Sequence, residues 1–123
     1  MEQIKRATGA DWSAMFGTSE PADWIGLVAA SPHLIFGIGG VYRANDGRYW
    51  MFFHRVAGIR KTKTAHTAAR IIVDMMHEAG EPAYALADPR YSGACLWLRR
   101  LGFIETTEAI EGHTVWTLLP QQQ

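Results

Sequence analysis

The sequence has a single cysteine in 123 residues, Cys95, so it can form no intrachain disulfide. That excludes a stapled secreted scaffold and a zinc site built on thiolates. The five histidines (His33, His54, His66, His77 and His113) are scattered, and no pair stands at helix-face spacing beside a carboxylate. No metal site is expected from them. Long apolar runs are missing too, since none approaches the roughly 20 residues needed to span a bilayer. The first residues, Met1-Glu-Gln-Ile-Lys-Arg-Ala-Thr8, hold no apolar stretch of a signal peptide. The expectation is a soluble, cytoplasmic protein with no membrane partner. Net charge is also absent, because 12 Lys+Arg balance 12 Asp+Glu. A chain that clamps nucleic acid by counterion release would carry an excess of cations, so a nucleic-acid partner is not expected.

What is present suits a packed core. Hydrophobic residues make up 48% and charged residues 20% of the chain, which points to one domain over residues 1–119. Residues 120–123, a proline and three glutamines, read as a frayed tail.

Along the chain, Ile4–Ala7 reads as an edge strand. Thr8 with Asp11 three residues on is a helix N-cap, for a short helix carrying Trp12, Met15 and Phe16 and ending at Gly17. Ser19–Trp24 reads as a further helical turn, with Pro21 in its first positions. Gly26–Ala30 and Leu34–Tyr42 are strand-like. Asn45-Asp-Gly47 between apolar-aromatic runs signals a hairpin into Tyr49–Val56, whose near-continuous apolarity predicts a strand covered on both faces. Apolar residues at 65, 68, 69, 72, 76 and 79, with Gly80 as stop, predict an amphipathic helix. Pro82–Ala87 reads as a buried strand. Apolar positions 94, 95, 98 and 101 mark a last helix ending at Gly102, with Cys95 as a small apolar residue on its buried face. Phe103–Ile110 and His113–Leu119 form a closing hairpin. Strand, helix, strand over 49–87 implies a parallel crossover inside an otherwise antiparallel sheet. The fold class is therefore mixed α/β (α+β).

No acidic residue occurs between Asp46 and Asp74, yet that stretch holds half of the cations: Arg48, Arg55, Arg60, Lys61, Lys63 and Arg70. The densest part, Arg60–Thr67, lies where a strand hands over to a helix. Free backbone N–H groups and the helix dipole favour an anion there, and Thr62, Thr64 and Thr67 add hydroxyl donors. The alternative is a solvated basic loop. Gly37-Ile-Gly-Gly40 opens no helix, so it fails as a dinucleotide-binding motif. Strand glycines more often mark a bulge or a close backbone approach.

Strand, basic loop, helix, strand, and then Asp88-Pro-Arg-Tyr-Ser-Gly-Ala-Cys-Leu-Trp-Leu-Arg-Arg-Leu-Gly-Phe103 together resemble the GCN5-related N-acetyltransferases, the GNAT superfamily. Leu98-Arg-Arg-Leu-Gly-Phe103 is similar to the Tyr-Glu-Lys-Leu-Gly-Phe segment that closes the family's last helix. The resemblance implies a GNAT-like sheet with helices on both faces. It also implies acetyl-CoA as co-substrate and transfer of an acetyl group to a primary amine of a small molecule or protein. In the family, a loop of pattern Gln/Arg-x-x-Gly-x-Gly/Ala holds the pyrophosphate through backbone N–H groups. Lys63-Thr-Ala-His-Thr-Ala68 is a degenerate copy, with Lys63 at the Gln/Arg position, His66 at the first Gly and Ala68 at the second. The resemblance further implies that the sheet splays around His54–Val56, where the family pairs its backbone with pantetheine. The implied cofactor-binding set is Val56, Arg60, Lys63, Thr64, Ala65, His66, Thr67 and Ala68. His66 either obstructs the phosphates, donates to them, or is an ordinary exposed histidine at a helix start.

The tyrosine that many family members use as general acid falls at Leu98, which transfers no proton. Tyr91 and His54 are the remaining candidates for proton transfer. Trp12 and Trp24 lie where the family caps its acceptor groove, and so are candidate substrate contacts. Relatives often form homodimers through edge strands. The competing reading is a catalytically degenerate GNAT-like domain that binds a host protein or serves as a particle component, since compact divergent proteins of tailed bacteriophages are similar in size and layout. That reading would allow association with a virion.

Overall fold

The computed structural model describes residues 3–56 and 62–120. In chain order the elements are β1 (Gln3–Arg6), α1 (Gly9–Phe16), β2 (Trp24–Ser31), β3 (Leu34–Arg43), β4 (Tyr49–Arg55), α2 (Thr62–Ala79), β5 (Ala83–Ala87), α3 (Ser92–Leu101), β6 (Ile104–Ile110) and β7 (His113–Leu118). The strands form one sheet in the order β1-β2-β3-β4-β5-β7-β6. Every pairing is antiparallel except β4 with β5.

Local chemistry sets most boundaries. Thr8 and Asp11 close a reciprocal capping box: the Asp11 amide donates to Thr8 Oγ1 at 3.2 Å, and the Thr8 amide donates to Asp11 Oδ2 at 2.8 Å. Gly17 then stops α1 with φ 69°. The turn at 44–48 carries Gly47 at φ 84°, and the Arg48 amide donates to Asp46 Oδ1 at 2.9 Å. Glu111 and Gly112 both have positive φ, the geometry a two-residue hairpin needs to match the strand twist. Gly80 and Gly102 end α2 and α3 in the left-handed conformation.

Ser19–Trp24 is not a helical turn. Trp24 opens β2, where it pairs with Tyr42 across the strand, and its indole Nε1 donates to Glu20 Oε2 at 2.6 Å. The long-range ladder and that indole bond fix the segment in place of a local helix. Helix α2 begins at Thr62, so Lys63–Ala68 lie inside it rather than in a loop.

The two faces of the sheet have different cores. Alternate residues of β2 point to opposite faces. Leu27, with Val41, Met51, Ile72, Leu101 and Trp116, belongs to the main core under α2 and α3. Val28 and Ile38 pack with Met15, Phe16, Trp24 and Phe52 under α1. Helices thus cover both faces, and β4 is enclosed at Trp50 and Met51 while His54 and Arg55 at its end are exposed. Fully burying an Ile72 or a Leu101 contributes roughly 1.5–3 kcal/mol each. Gly40 marks a close approach: a Cβ there would strike the Ile25 carbonyl oxygen and the Gly26 Cα.

Candidate functional site

The parallel seam is short. β4 pairs with β3 along its whole length, Tyr49–Arg55 against Arg43–Gly37. It pairs with β5 only at Tyr49↔Ala83 and Trp50↔Tyr84. β5 continues beside β7 as far as Ala87. From Met51 to Arg55 the β5-facing edge of β4 therefore has no ladder partner among the described residues. Two rings stand in the fork, Phe53 of β4 and Trp97 of α3, in edge-to-face contact with centroids 4.7 Å apart. Trp97 is tethered from behind, because its indole Nε1 donates to His66 Nδ1 at 3.1 Å. That bond assigns His66 the tautomer with its proton on Nε2.

A cleft of about 790 Å³ opens on the α2 side of this fork. Its floor is the glycine-bearing part of β3 (Gly37, Gly39) with Phe53, His54 and Arg55 of β4. Its walls are small residues, Ala65, Ala68 and Ala69 on α2 and Gly93 and Ala94 on α3. Arg100 of α3 lies on the rim. Small side chains on both helices are what leave room between them. Gly37 and Gly39 sit tightly against β4: a Cβ at Gly37 would come within 2.8 Å of the His54 carbonyl oxygen. The β2–β3 register shifts between Ala29 and Ala30, and the Val56 amide donates to the Phe36 carbonyl at 2.9 Å.

The cations divide into two groups. Arg48 binds Asp46 at 2.8 Å and Glu108 at 3.0 Å, Arg70 binds Asp74 at 3.4 Å, and Arg90 binds Asp88 at 2.7 Å. Hydrogen bonds to Glu108 and then Asp46 raise the Arg48 pKa. Asp46 is lowered, chiefly by the Arg48 backbone and side-chain hydrogen bonds. Asp88 is held at about 2 by the Arg90 side chain and backbone. Arg55 and Arg100 on the cleft, and Lys63 in the first turn of α2, have no ion-pair partner among the described residues. That turn carries no acidic residue.

Beyond the fork lies a second, smaller chamber of about 310 Å³. It shares Phe53, Ala94 and Trp97 with the cleft. Its remaining lining comes from Tyr42, Trp50, Met51 and Phe52 on one side and from Ala85, Leu86, Ala87 and Leu98 on the other.

Of the residues singled out from the sequence, His54, Ala65 and Ala68 line the cleft. Lys63, Thr64 and Thr67 are in the first turns of α2, and Thr67 Oγ1 donates to the Lys63 carbonyl at 3.0 Å. Val56 is half-buried just past β4. Arg60 lies outside the described residues, as does the tail at 121–123. His66 is neither an exposed histidine nor a phosphate donor through Nδ1, since that atom is taken up by Trp97. Tyr91 is 64% exposed at the start of α3 and lines neither cavity. Leu98 is buried and lines the inner chamber. Trp12 and Trp24 do not cap a groove as two helical residues. They pack edge to face on one another at 5.2 Å, and Trp12 sits 5.1 Å from Phe52. Both indole N–H groups are bonded within the same layer, to Thr18 and Glu20. Cys95 is half-buried against the main core, with Sγ 4.0 Å from the Asp88 carbonyl oxygen. No cluster of metal-ligating side chains occurs among the described residues, and no helix there is long and apolar enough to cross a membrane.

Sequence reading missed Phe53, Trp97 and Arg100 as site residues, while Arg55 falls in the His54–Val56 stretch that the resemblance implies. Arg100 stood in the Leu98–Phe103 string, so a signal existed for it. Nothing in the sequence separated Trp97 from the core tryptophans.

No family model and no curated protein matches the sequence. Solved structures do match the fold. The ribosomal-protein-S18-alanine N-acetyltransferase of Escherichia coli superposes with a TM-score of 0.76 at 10% identity, over 100% of this chain and 97% of that one. The yncA protein of Salmonella typhimurium, solved with its cofactor acetyl-CoA, gives 0.76 at 11% identity over 100% and 96%. An N-acetyltransferase of Staphylococcus aureus gives 0.68 at 10% identity over 95% and 96%. The fold is that of the GNAT acetyltransferases: a mostly antiparallel seven-stranded sheet with one parallel pair.

Proposed function

We propose that the chain is an acyl-CoA-dependent N-acyltransferase, with acetyl-CoA as co-substrate and a primary amine as acceptor. The observation that carries this reading is the parting of β4 from β5 after Trp50, which frees a strand edge on the floor of a large cleft. The pantetheine arm of a CoA thioester is a short chain of amides, and a free strand edge satisfies such amides as a neighbouring strand would. The acidic end of the same molecule suits three cations without an ion-pair partner among the described residues, Lys63 in the first turn of α2 and Arg55 and Arg100 on the cleft. The alanines of α2 let a diphosphate approach the helix without a bulky side chain in between. The acetyl-CoA complex of the Salmonella typhimurium protein, which has the same fold, supports the choice of ligand.

Holding the thioester and the amine together at the fork supplies catalysis by approximation, and a β4 amide aimed at the thioester carbonyl would stabilise the developing oxyanion. Leu98 occupies the place of the family's tyrosine and supplies no proton. We assign His54 no proton-transfer role: its ring turns to the α1 face, 5.4 Å from Phe16, and it does not line the inner chamber.

Calorimetric titration with acetyl-CoA tests this reading. Lys63→Ala should weaken binding about tenfold, the loss expected for one charge-assisted phosphate contact. No heat at millimolar acetyl-CoA would overturn it. The buried Leu98 also suits the competing reading of a degenerate binding domain, which predicts that acetyl-CoA binds and no amine is acetylated.

A further inference from the structure

We infer that the acceptor is a weakly basic aromatic amine, received in the uncharged chamber beyond Phe53 and Trp97. This rests on the acyltransferase reading above and adds the substrate class to it.

The argument starts from the lining. The chamber adjoins the cleft at the fork, so a molecule inside it meets a thioester held on β4. Among the described residues, none that lines it carries a carboxylate, an imidazole or a cation. Tyr42, Trp50, Phe52 and Phe53 give aromatic walls, and Ala85, Ala87 and Ala94 leave a flat space facing them. Three carboxylates near these walls are committed. Asp46 is held by Arg48 and accepts from the Trp50 indole at 3.4 Å, Glu108 is held by Arg48, and Asp88 is chelated by Arg90. Arg48 itself lies over the rings of Trp50 and Tyr84 at 4.7 and 5.0 Å, on the closed side of the seam.

An alkylamine resembling a lysine side chain is neutral in only about one molecule in a thousand at pH 7.4. Its ammonium form would enter this chamber with no counter-charge and no base to remove its proton, and both are costly. An aromatic amine arrives neutral at the same pH. Its ring matches the walls, and its lone pair is ready without a base. The lone pair attacks the thioester carbon, the C–N bond forms, and the C–S bond breaks with its electron pair leaving on sulfur. The proton released by nitrogen passes through water to the thiolate, giving an anilide and the free CoA thiol. Leu86, which lines the chamber and is 45% exposed, is where solvent would meet it.

The test compares aniline with benzylamine, two ring-bearing amines that differ in where the nitrogen titrates. With acetyl-CoA at about pH 7, kcat/KM for aniline should exceed that for benzylamine by about tenfold or more. Between about pH 7 and 9 the aniline rate should stay flat while the benzylamine rate climbs about tenfold per unit with its free base. Leu86→Glu places a carboxylate at the exposed mouth without disturbing the core, and should narrow or reverse the preference. Faster turnover of benzylamine by the native chain would overturn the inference. So would turnover of neither amine by protein that binds acetyl-CoA in the calorimeter. Loss of acetyl-CoA binding itself would instead remove the acyltransferase reading.

Discussion

At its first two residues β4 is held on both sides. Tyr49 and Trp50 pair with β3 and with β5, and Arg48 just before them reaches Asp46 and Glu108 while lying over the Trp50 and Tyr84 rings. Five residues later the same strand has lost its β5 neighbour, and Arg55 stands at the cleft with no ion-pair partner among the described residues. The side chains are of the same kinds at both ends, aromatic rings and an arginine. What differs is the supply of acids. Asp46 and Glu108 neutralise the closed end, and no acid occurs between residues 47 and 73 to neutralise the open one. An arginine given carboxylates becomes a strap, and one left without them remains available to an anionic ligand.

The contrast can be broken most forcefully at the closed end. Trp50→Ala removes a ring that is only 7% exposed, and should cost about 3–5 kcal/mol in urea unfolding. Phe53→Ala, at a half-buried position in the fork, should cost less than about 3 kcal/mol. Equal losses would mean that the two ends are packed alike. A smaller effect probes the tether behind the fork. Trp97→Phe keeps a ring against Phe53 and loses the bond to His66, for about 1 kcal/mol. Repeating the change in a His66→Ala background should cancel most of that loss, and a double-mutant cycle reads the coupling directly. The smallest effect is expected just past β5. The Asp88 carboxylate is depressed to about 2 from 3.8, so its contribution is complete above 3.8 and disappears as pH falls through about 2. Asp88→Asn should therefore lower Tm slightly near neutrality and leave it unchanged at the acid end, as scanning calorimetry across that range would record.

Features set by neighbours in the chain were legible in the sequence. The Thr8–Asp11 capping box, the turn at Gly47, the stops at Gly80 and Gly102 and the crossover between β4 and β5 all rest on contacts within a few residues or on simple element order. Ser19–Trp24 was misleading because an acid and Pro21 imitate a helix start, while the deciding contacts are the Trp24–Tyr42 ladder and the indole bond to Glu20. The start of α2 was hidden because Thr62–Thr64 add no apolar periodicity. The segment read as a basic loop up to Thr64 already belongs to the helix from Thr62 on. The fork was implied by the family resemblance, which splays the sheet around His54–Val56, and not by composition or periodicity. It depends on where two strands stop pairing and on a bond between His66 and Trp97, which stand 31 residues apart.

The two-pair parallel seam also bears on how the molecule comes together. On one side of it lies β1–β4, a meander of neighbouring antiparallel strands; on the other lies β5–β7, again built from contiguous chain. Each half can zip from its own hairpins, whereas Tyr49 and Trp50 meet Ala83 and Tyr84 only after the whole of α2 has been spanned. The seam's loop closure costs about as much entropy as that of Ala83 with Leu118 in the β5–β7 pair, but only two residue pairs repay it where β5–β7 has five. Amide exchange should therefore find its backbone bonds opening before those within either half.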